Sequence, residues 1–375
     1  MGQLNRALQT VDLFAVQPEA QLASNAVFVH SGFRTASTFI WSRFRAAENV
    51  IAFCEIFHGI LHDLPLSNVR KINSRNWYSK HPEGNPYFEE YKPLIQVNGG
   101  IKNYHPSMEI DLFIPEQGPR GPITPAEYQY VSGLIDYAKR LNKSPVLTMV
   151  RSLGRVTGMK NAFPGTHILL YRSIFRQWAS LSEQDWHGND WFFRTTKAQL
   201  QRSRHDPFIN KMVRVFGIDD FSSRNVNSFY LFIALHLYLY SRAVDAADLI
   251  IDATKLATDE NYRVGIENAI WDEGVKVDFS EARNTFAFSL CPIIATDVIR
   301  WLNIIAEWVN RDASAKGRAF VEHATTEIAS EVRLYELFAG GIQSILQSTH
   351  SKIEVNKLPA GRYFKWAGWP GRYQQ

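Results

Sequence analysis

The stretch Asn25-Ala26-Val27-Phe28-Val29-His30-Ser31-Gly32-Phe33-Arg34-Thr35-Ala36-Ser37-Thr38 (residues 25–38) opens with a short apolar run, breaks at Ser31-Gly32 and continues into small and hydroxyl residues. The apolar run predicts a strand, and the break predicts a turn. Helical character follows from about Ser37 to Ala47, and Asn49-Val50-Ile51-Ala52-Phe53-Cys54 returns to strand character. Strand, helix and strand make one βαβ unit, which predicts a parallel sheet.

Working outward, residues 127–141 read as a helix. Pro145-Val146-Leu147-Thr148-Met149-Val150 and Thr166-His167-Ile168-Leu169-Leu170-Tyr171 read as strands with a basic helical stretch between them. Helices are predicted at roughly 173–186, 190–203 and 225–247, before a fifth strand, Ala247-Asp248-Leu249-Ile250-Ile251-Asp252. From about 280 the pattern is helical and ends in a loop-rich aromatic tail, Tyr363 to Tyr373. Residues 62–126, rich in Pro, Gly, Asn and Tyr with weak periodicity, read as an insertion carrying loops. The expected organisation is an α/β domain over 25–280 that includes this insertion. A leader over 1–24 precedes it, and a mainly helical extension of the same domain over 281–375 follows.

A chain of 375 residues, 45% hydrophobic, can bury a large core. Its formal charge of +4 comes without a dense Lys/Arg run, so long-range electrostatics do not point to nucleic acid. Two cysteines, Cys54 and Cys291, exclude a disulfide framework and a four-cysteine zinc site. Met1 to Arg6 carries no basic region leading into an apolar stretch, and His236, Asp297 and Arg300 interrupt the apolar stretches at 229–240 and 290–309. A cytoplasmic protein without a membrane span is the expectation.

In an open parallel sheet, ligands collect where the strands stop. Here the strands stop at the segment Ser31 to Thr38, at Glu55, at Arg151 and at Arg172. Small and hydroxyl residues at a helix start, preceded by Arg34, have the physics of a phosphate cradle, because free N–H groups and the helix dipole favour an anion. An N-cap beside a surface arginine is the plainer alternative. Arg172 followed by Ser180, about two helical turns on, suits a second phosphate. The alternative there is an arginine capping a neighbouring helix and a serine bonded within its own.

The run Arg34-Thr35-Ala36-Ser37-Thr38 resembles the 5'-phosphosulfate loop of sulfotransferases that use 3'-phosphoadenosine 5'-phosphosulfate (PAPS), usually Arg/Lys-Ser-Gly-Thr-Thr. Tyr171-Arg172-Ser173 through Ser180 is similar to the family's 3'-phosphate motif. Ala36 departs from the usual glycine. The resemblance is to the carboxylate-base bacterial and Golgi-type members, including the tyrosylprotein sulfotransferases. It implies a P-loop-like sheet, PAPS as donor with its desulfated form PAP as product, and no metal. It also implies an acceptor hydroxyl on a carbohydrate, phenol or peptide tyrosine.

The same resemblance implies roles for individual residues. Arg34 is both catalytic and donor-binding, Thr35, Ala36, Ser37, Thr38, Arg172 and Ser180 bind the donor, and Glu55 is the general base. Apolar neighbours, in Phe53-Cys54-Glu55-Ile56-Phe57, predict a desolvated and therefore stronger base at Glu55, against the plainer reading of a salt-bridged glutamate. His58 is a second candidate base, and Lys357, Arg362 and Lys365 are candidates to close over the nucleotide. Two other function classes compete. One is a P-loop kinase or nucleotidase using Asp252 on a metal, although the Gly-x4-Gly-Lys-Ser/Thr pattern is absent. The other is a non-catalytic nucleotide- or glycan-binding protein that stacks ligands on its aromatic residues.

Overall fold

A computed structural model describes residues 26–72, 86–285, 287 and 289–348, the last ten by backbone alone. The expected leader and the candidate closing residues Lys357, Arg362 and Lys365 lie outside the described residues. Five parallel strands form the sheet: β1 (Val27–His30), β2 (Val50–Phe53), β3 (Ser144–Met149), β4 (Thr166–Tyr171) and β5 (Leu249–Asp252), in the order β2-β3-β1-β4-β5. β1 lies between β3 and β4, with Val27 in register with Val146 on one side and Thr166 on the other. A central parallel strand has both faces covered, which is why its four residues are all buried.

Helices pack on both faces. Along β4, Ile168 and Leu170 enter one hydrophobic cluster and Leu169 and Tyr171 the other, as the two-residue period of a strand requires. The first cluster holds α1 (Ser37–Arg45), α2 (Pro125–Arg140) and, following an α3 (Val156–Ala162) that reaches both clusters, α8 (Ala253–Thr258) and α9 (Glu260–Trp271). The second holds α4 (Ile174–Trp186), α5 (Trp191–Arg202), α6 (Pro207–Phe216), α7 (Val226–Ala243), α10 (Ala295–Asn310) and α11 (Ala315–Ser348). α7 is buried on almost every side, and α10 and α11 pack against it. The molecule is an α/β fold with a helical C-terminal region. No helix among the described residues is long and apolar enough to cross a membrane.

Two sequence expectations change. Helix resumes only at Ala295; the described residues from 275 to 294 are non-helical, with a turn around Asp278 and Ser280 and Pro292 just before α10. The described residues of the segment 62–126 carry several short 3-10 turns, but they are also part of the core. Phe88, Tyr91, Ile101 and Met108 are buried there, and the Tyr91 hydroxyl donates to Cys54 O at 3.0 Å.

Candidate functional site

Strand order decides where a ligand can collect. The connection after β1 leads to β2 on one side of the sheet, and the connection after β4 leads to β5 on the other. Adjacent strands whose connections diverge leave a crevice between them. Residues 31–36 border it after β1, and Arg172 and Ser173 border it after β4.

Hydroxyl groups shape the first border. Ser31 donates to Met149 O through its N–H at 2.9 Å and its Oγ at 3.2 Å, and Thr35 Oγ1 donates to Gly32 O at 3.0 Å. Arg34 and Ala36 adopt left-handed backbone angles, φ 64° and 65°, a conformation that costs any residue with a Cβ. Ala36 is the N-cap of α1 and supplies no side-chain acceptor, and the first turn carries no acidic residue. The helix's hydrogen bonding begins with Ile40 N–H to Ala36 O at 3.1 Å. A side-chain cap, the plainer alternative, is therefore absent, and the dipole of α1 meets no carboxylate in its first turn.

Arg34 reaches across to the second border. Its Nε donates to Ser180 Oγ at 2.8 Å, and its guanidinium lies 5.8 Å from the Phe192 ring. Arg172 donates to Arg34 O through Nη1 at 3.1 Å and to Thr285 O through Nη2 at 2.8 Å. Three predicted residues from two distant segments thus meet at one rim. Burial, then the charges of Arg34 and Arg176, pull the Arg172 guanidinium down to about 10. Burial also pulls Arg34 below the usual arginine range, against the opposing effect of Glu183 and Tyr87. Crowded, partly desolvated cations gain from an anion that accepts their hydrogen bonds.

Glu55 stands two residues beyond β2 with φ 47°, a third left-handed residue at the site. Ile56 and Phe57 turn into the core, so the apolar neighbours in sequence do not surround the Glu55 carboxylate. It accepts instead from Arg151 Nη1 at 2.7 Å. The carboxylate expected to be desolvated is in fact ion-paired. His58 Nε2 lies 4.0 Å from the same carboxylate oxygen. His58 Nδ1 accepts from Ile60 N–H at 3.2 Å, which puts the proton of the neutral ring on Nε2. Burial, then Arg151, hold the ring well below the usual histidine range. His58 therefore has no spare lone pair, and its candidacy as base is withdrawn.

Arg151, whose role the sequence left open, belongs with Glu55. It is 1% exposed and lies 5.3 Å from the Phe33 ring and 5.1 Å from the Trp191 ring. Tyr87 lies within electrostatic reach of both Glu55 and Arg34. Burial pushes its hydroxyl far up, Cys54 and Glu55 add to the rise and Arg34 opposes it. Asp252, the candidate metal ligand of the kinase reading, spends its Oδ1 capping α8, accepting from Thr254 and Lys255 N–H groups at 2.7 and 3.2 Å. Two open clefts, of about 420 and 290 Å³, flank α3 and share Asn161, apart from this crevice.

Sequence reasoning missed four contributors. Glu109 lies 3.3 Å from Arg151 Nε, Thr285 accepts from Arg172, and Glu327 and Glu331 of α11 bind Tyr171, Ser173 and Arg176. Only the last pair left a signal, two carboxylates four apart and so on one helix face. Compared with family models, curated proteins and solved structures, the chain matches none.

Proposed function

We propose that this protein is a sulfotransferase that moves a sulfuryl group from PAPS to an acceptor hydroxyl. The observation that carries the reading is the meeting of Arg34, Arg172 and Ser180 at the uncapped start of α1. PAPS is anionic at both its 5' and 3' ends, and a rim with two guanidinium groups and a helix dipole suits such a molecule. Arg34 and the first turn of α1 hold the 5'-phosphosulfate, and Arg172 and Ser180 hold the 3'-phosphate.

In the proposed reaction the acceptor oxygen attacks sulfur as its proton passes to Glu55. The S–O bond to the 5'-phosphate breaks, and its electron pair remains on the departing PAP. Arg34 stabilises the charge gathering on that bridging oxygen, so catalysis rests on positioning and electrostatics. The acceptor is a carbohydrate, phenol or peptide tyrosine hydroxyl. The proposed compartment is the cytoplasm, whose reducing thiol pool suits two buried free cysteines.

Titration calorimetry with PAP, without added magnesium, tests the donor site. Wild type is expected to bind, and Arg172→Ala to bind about tenfold to a hundredfold more weakly, the worth of a charge-assisted hydrogen bond. Transfer of label from sulfur-labelled PAPS to a panel of hydroxyl compounds tests the reaction. Glu55→Gln is expected to keep PAP affinity and lose about 10²- to 10⁴-fold in turnover. Absence of PAP binding by the wild type, or transfer that depends on magnesium and a nucleoside triphosphate, overturns the reading.

A further inference from the structure

An ion-paired glutamate looks unsuited to accept a proton. Once neutral, it abandons its partner, and a fully buried guanidinium stripped of its counter-ion is strongly destabilising. Arg151 is such a guanidinium, at 1% exposure. Its surroundings, however, hold a second carboxylate. Glu109 Oε1 lies 3.3 Å from Arg151 Nε, while Glu55 Oε2 occupies Nη1 at 2.7 Å.

Glu109 is held in place. It is 8% exposed, and its Oε2 packs so closely on Gly59 that a Cβ there would stand 2.0 Å from it. Phe33 and Trp191, edge to face with each other at 5.9 Å, both pack against the guanidinium. One fixed cation thus serves two carboxylates, one negative charge more than it needs. The other groups near Glu55 and Arg151 do not remove the excess, since the neighbouring buried cation, Arg155, is already paired with Glu127. His58 is held neutral by burial and Arg151, the Cys54 thiol and Tyr87 hydroxyl are pushed up chiefly by burial, and Tyr104 donates its hydroxyl to Phe57 O at 3.3 Å.

We propose that Glu109 is the counter-ion that keeps Arg151 paired when Glu55 takes up the acceptor's proton. Before transfer the trio is Glu55 carboxylate, Arg151 cation and Glu109 carboxylate. After transfer Glu55 is a neutral acid and the remaining pair is balanced. The step leaves no lone buried charge, and Glu109 is a positioning residue that never touches the substrate. The inference rests on reading Glu55 as the proton acceptor.

The test follows the Glu55 side chain directly, in full-length protein labelled with carbon-13 at the glutamate carboxyl groups. Glu55→Gln identifies its resonance. In Glu109→Gln, Arg151 has Glu55 as its only counter-ion, and the Glu55 resonance is expected to titrate about one pH unit or more lower than in wild type. Glu109→Asp, whose shorter carboxylate withdraws from Arg151, is expected to shift it in the same direction by less, and it serves if Glu109→Gln does not fold. An unmoved Glu55 titration in the folded variants overturns the proposal. In transfer assays, Glu109→Gln is expected to lower kcat with PAP affinity unchanged, and the acidic limb of its pH profile moves with the resonance. A wild type that binds no PAP defeats the sulfotransferase reading alone, because the titration needs neither donor nor acceptor.

Discussion

At the scale of single residues, backbone strain marks the site. Five non-glycine residues among those described have positive φ; two are asparagines, which tolerate it, and the other three are Arg34, Ala36 and Glu55. Ala36 carries the clearest penalty, since an alanine N-cap offers neither a side-chain acceptor nor glycine's freedom. The left-handed angle costs an L-residue about 1–2 kcal/mol, and glycine's looser unfolded chain returns part of that. Ala36→Gly is therefore expected to stabilise the protein by about 0.5–1 kcal/mol in urea denaturation while leaving PAP affinity in place. A destabilised variant would mean that the alanine methyl packs usefully in the turn. Arg34 and Arg172 were legible because apolar runs stop beside them, at one edge of a parallel sheet, and Ser180 because it follows Arg172 by about two helical turns. The Arg151 environment was illegible for the opposite reason. Its two carboxylates come from a β2 corner and from the irregular segment around 109, and no spacing rule links them.

At the scale of elements, the strands were readable from their unbroken apolar runs, which only a doubly covered sheet makes safe. α6 also left a full signature, Asp206 as cap, Pro207 in the first turn and Gly217 at the end, yet it falls in the gap between the helices predicted at 190–203 and 225–247 and was not predicted at all. The role of α11 could not be read, because its inward face is defined by partners far away in sequence. Glu331 accepts from Arg176 Nε at 2.5 Å and also binds the hydroxyl of Ser173, the residue that caps α4. α11 therefore anchors the start of α4 immediately after Arg172. Glu331→Gln loosens that anchor and also removes a negative charge that stabilises the Arg172 cation. It is expected to lower stability by about 1–2 kcal/mol in denaturant melts. Its PAP affinity is expected to stay equal or rise. A loss of affinity at unchanged stability would make Glu331 part of the anion site instead of an anchor.

At the scale of the whole molecule, the sheet interior stores uncharged imidazoles, and this sets how the fold responds to acid. His30 and His167 share a hydrogen bond of 2.9 Å inside the sheet, and His236 donates from Nδ1 to Phe232 O at 2.8 Å within α7. Burial holds His167 and His236 down to about 4, and burial, then His167, holds His30 well below the usual range. Unfolded histidine binds its proton near 6.5. Between about 6.5 and 4 the unfolded chain therefore carries more protons than the folded one at these positions, and stability falls as pH falls. Glu327 acts in the opposite sense. Burial raises it to about 7, so the folded state holds its proton from there down to the unfolded value. Glu327 roughly offsets one histidine, each worth about 3 kcal/mol at about 1.4 kcal/mol per pH unit, and Glu90, Asp252 and Glu273, also raised by burial, offset part of the other two. The melting temperature is expected to drop by several degrees between pH 7 and pH 5. His236→Gln, which keeps a polar side chain but cannot titrate, is expected to lose less over the same interval. Melting curves that stay flat, or that fall equally for both proteins, would show that acid acts elsewhere than on the buried histidines.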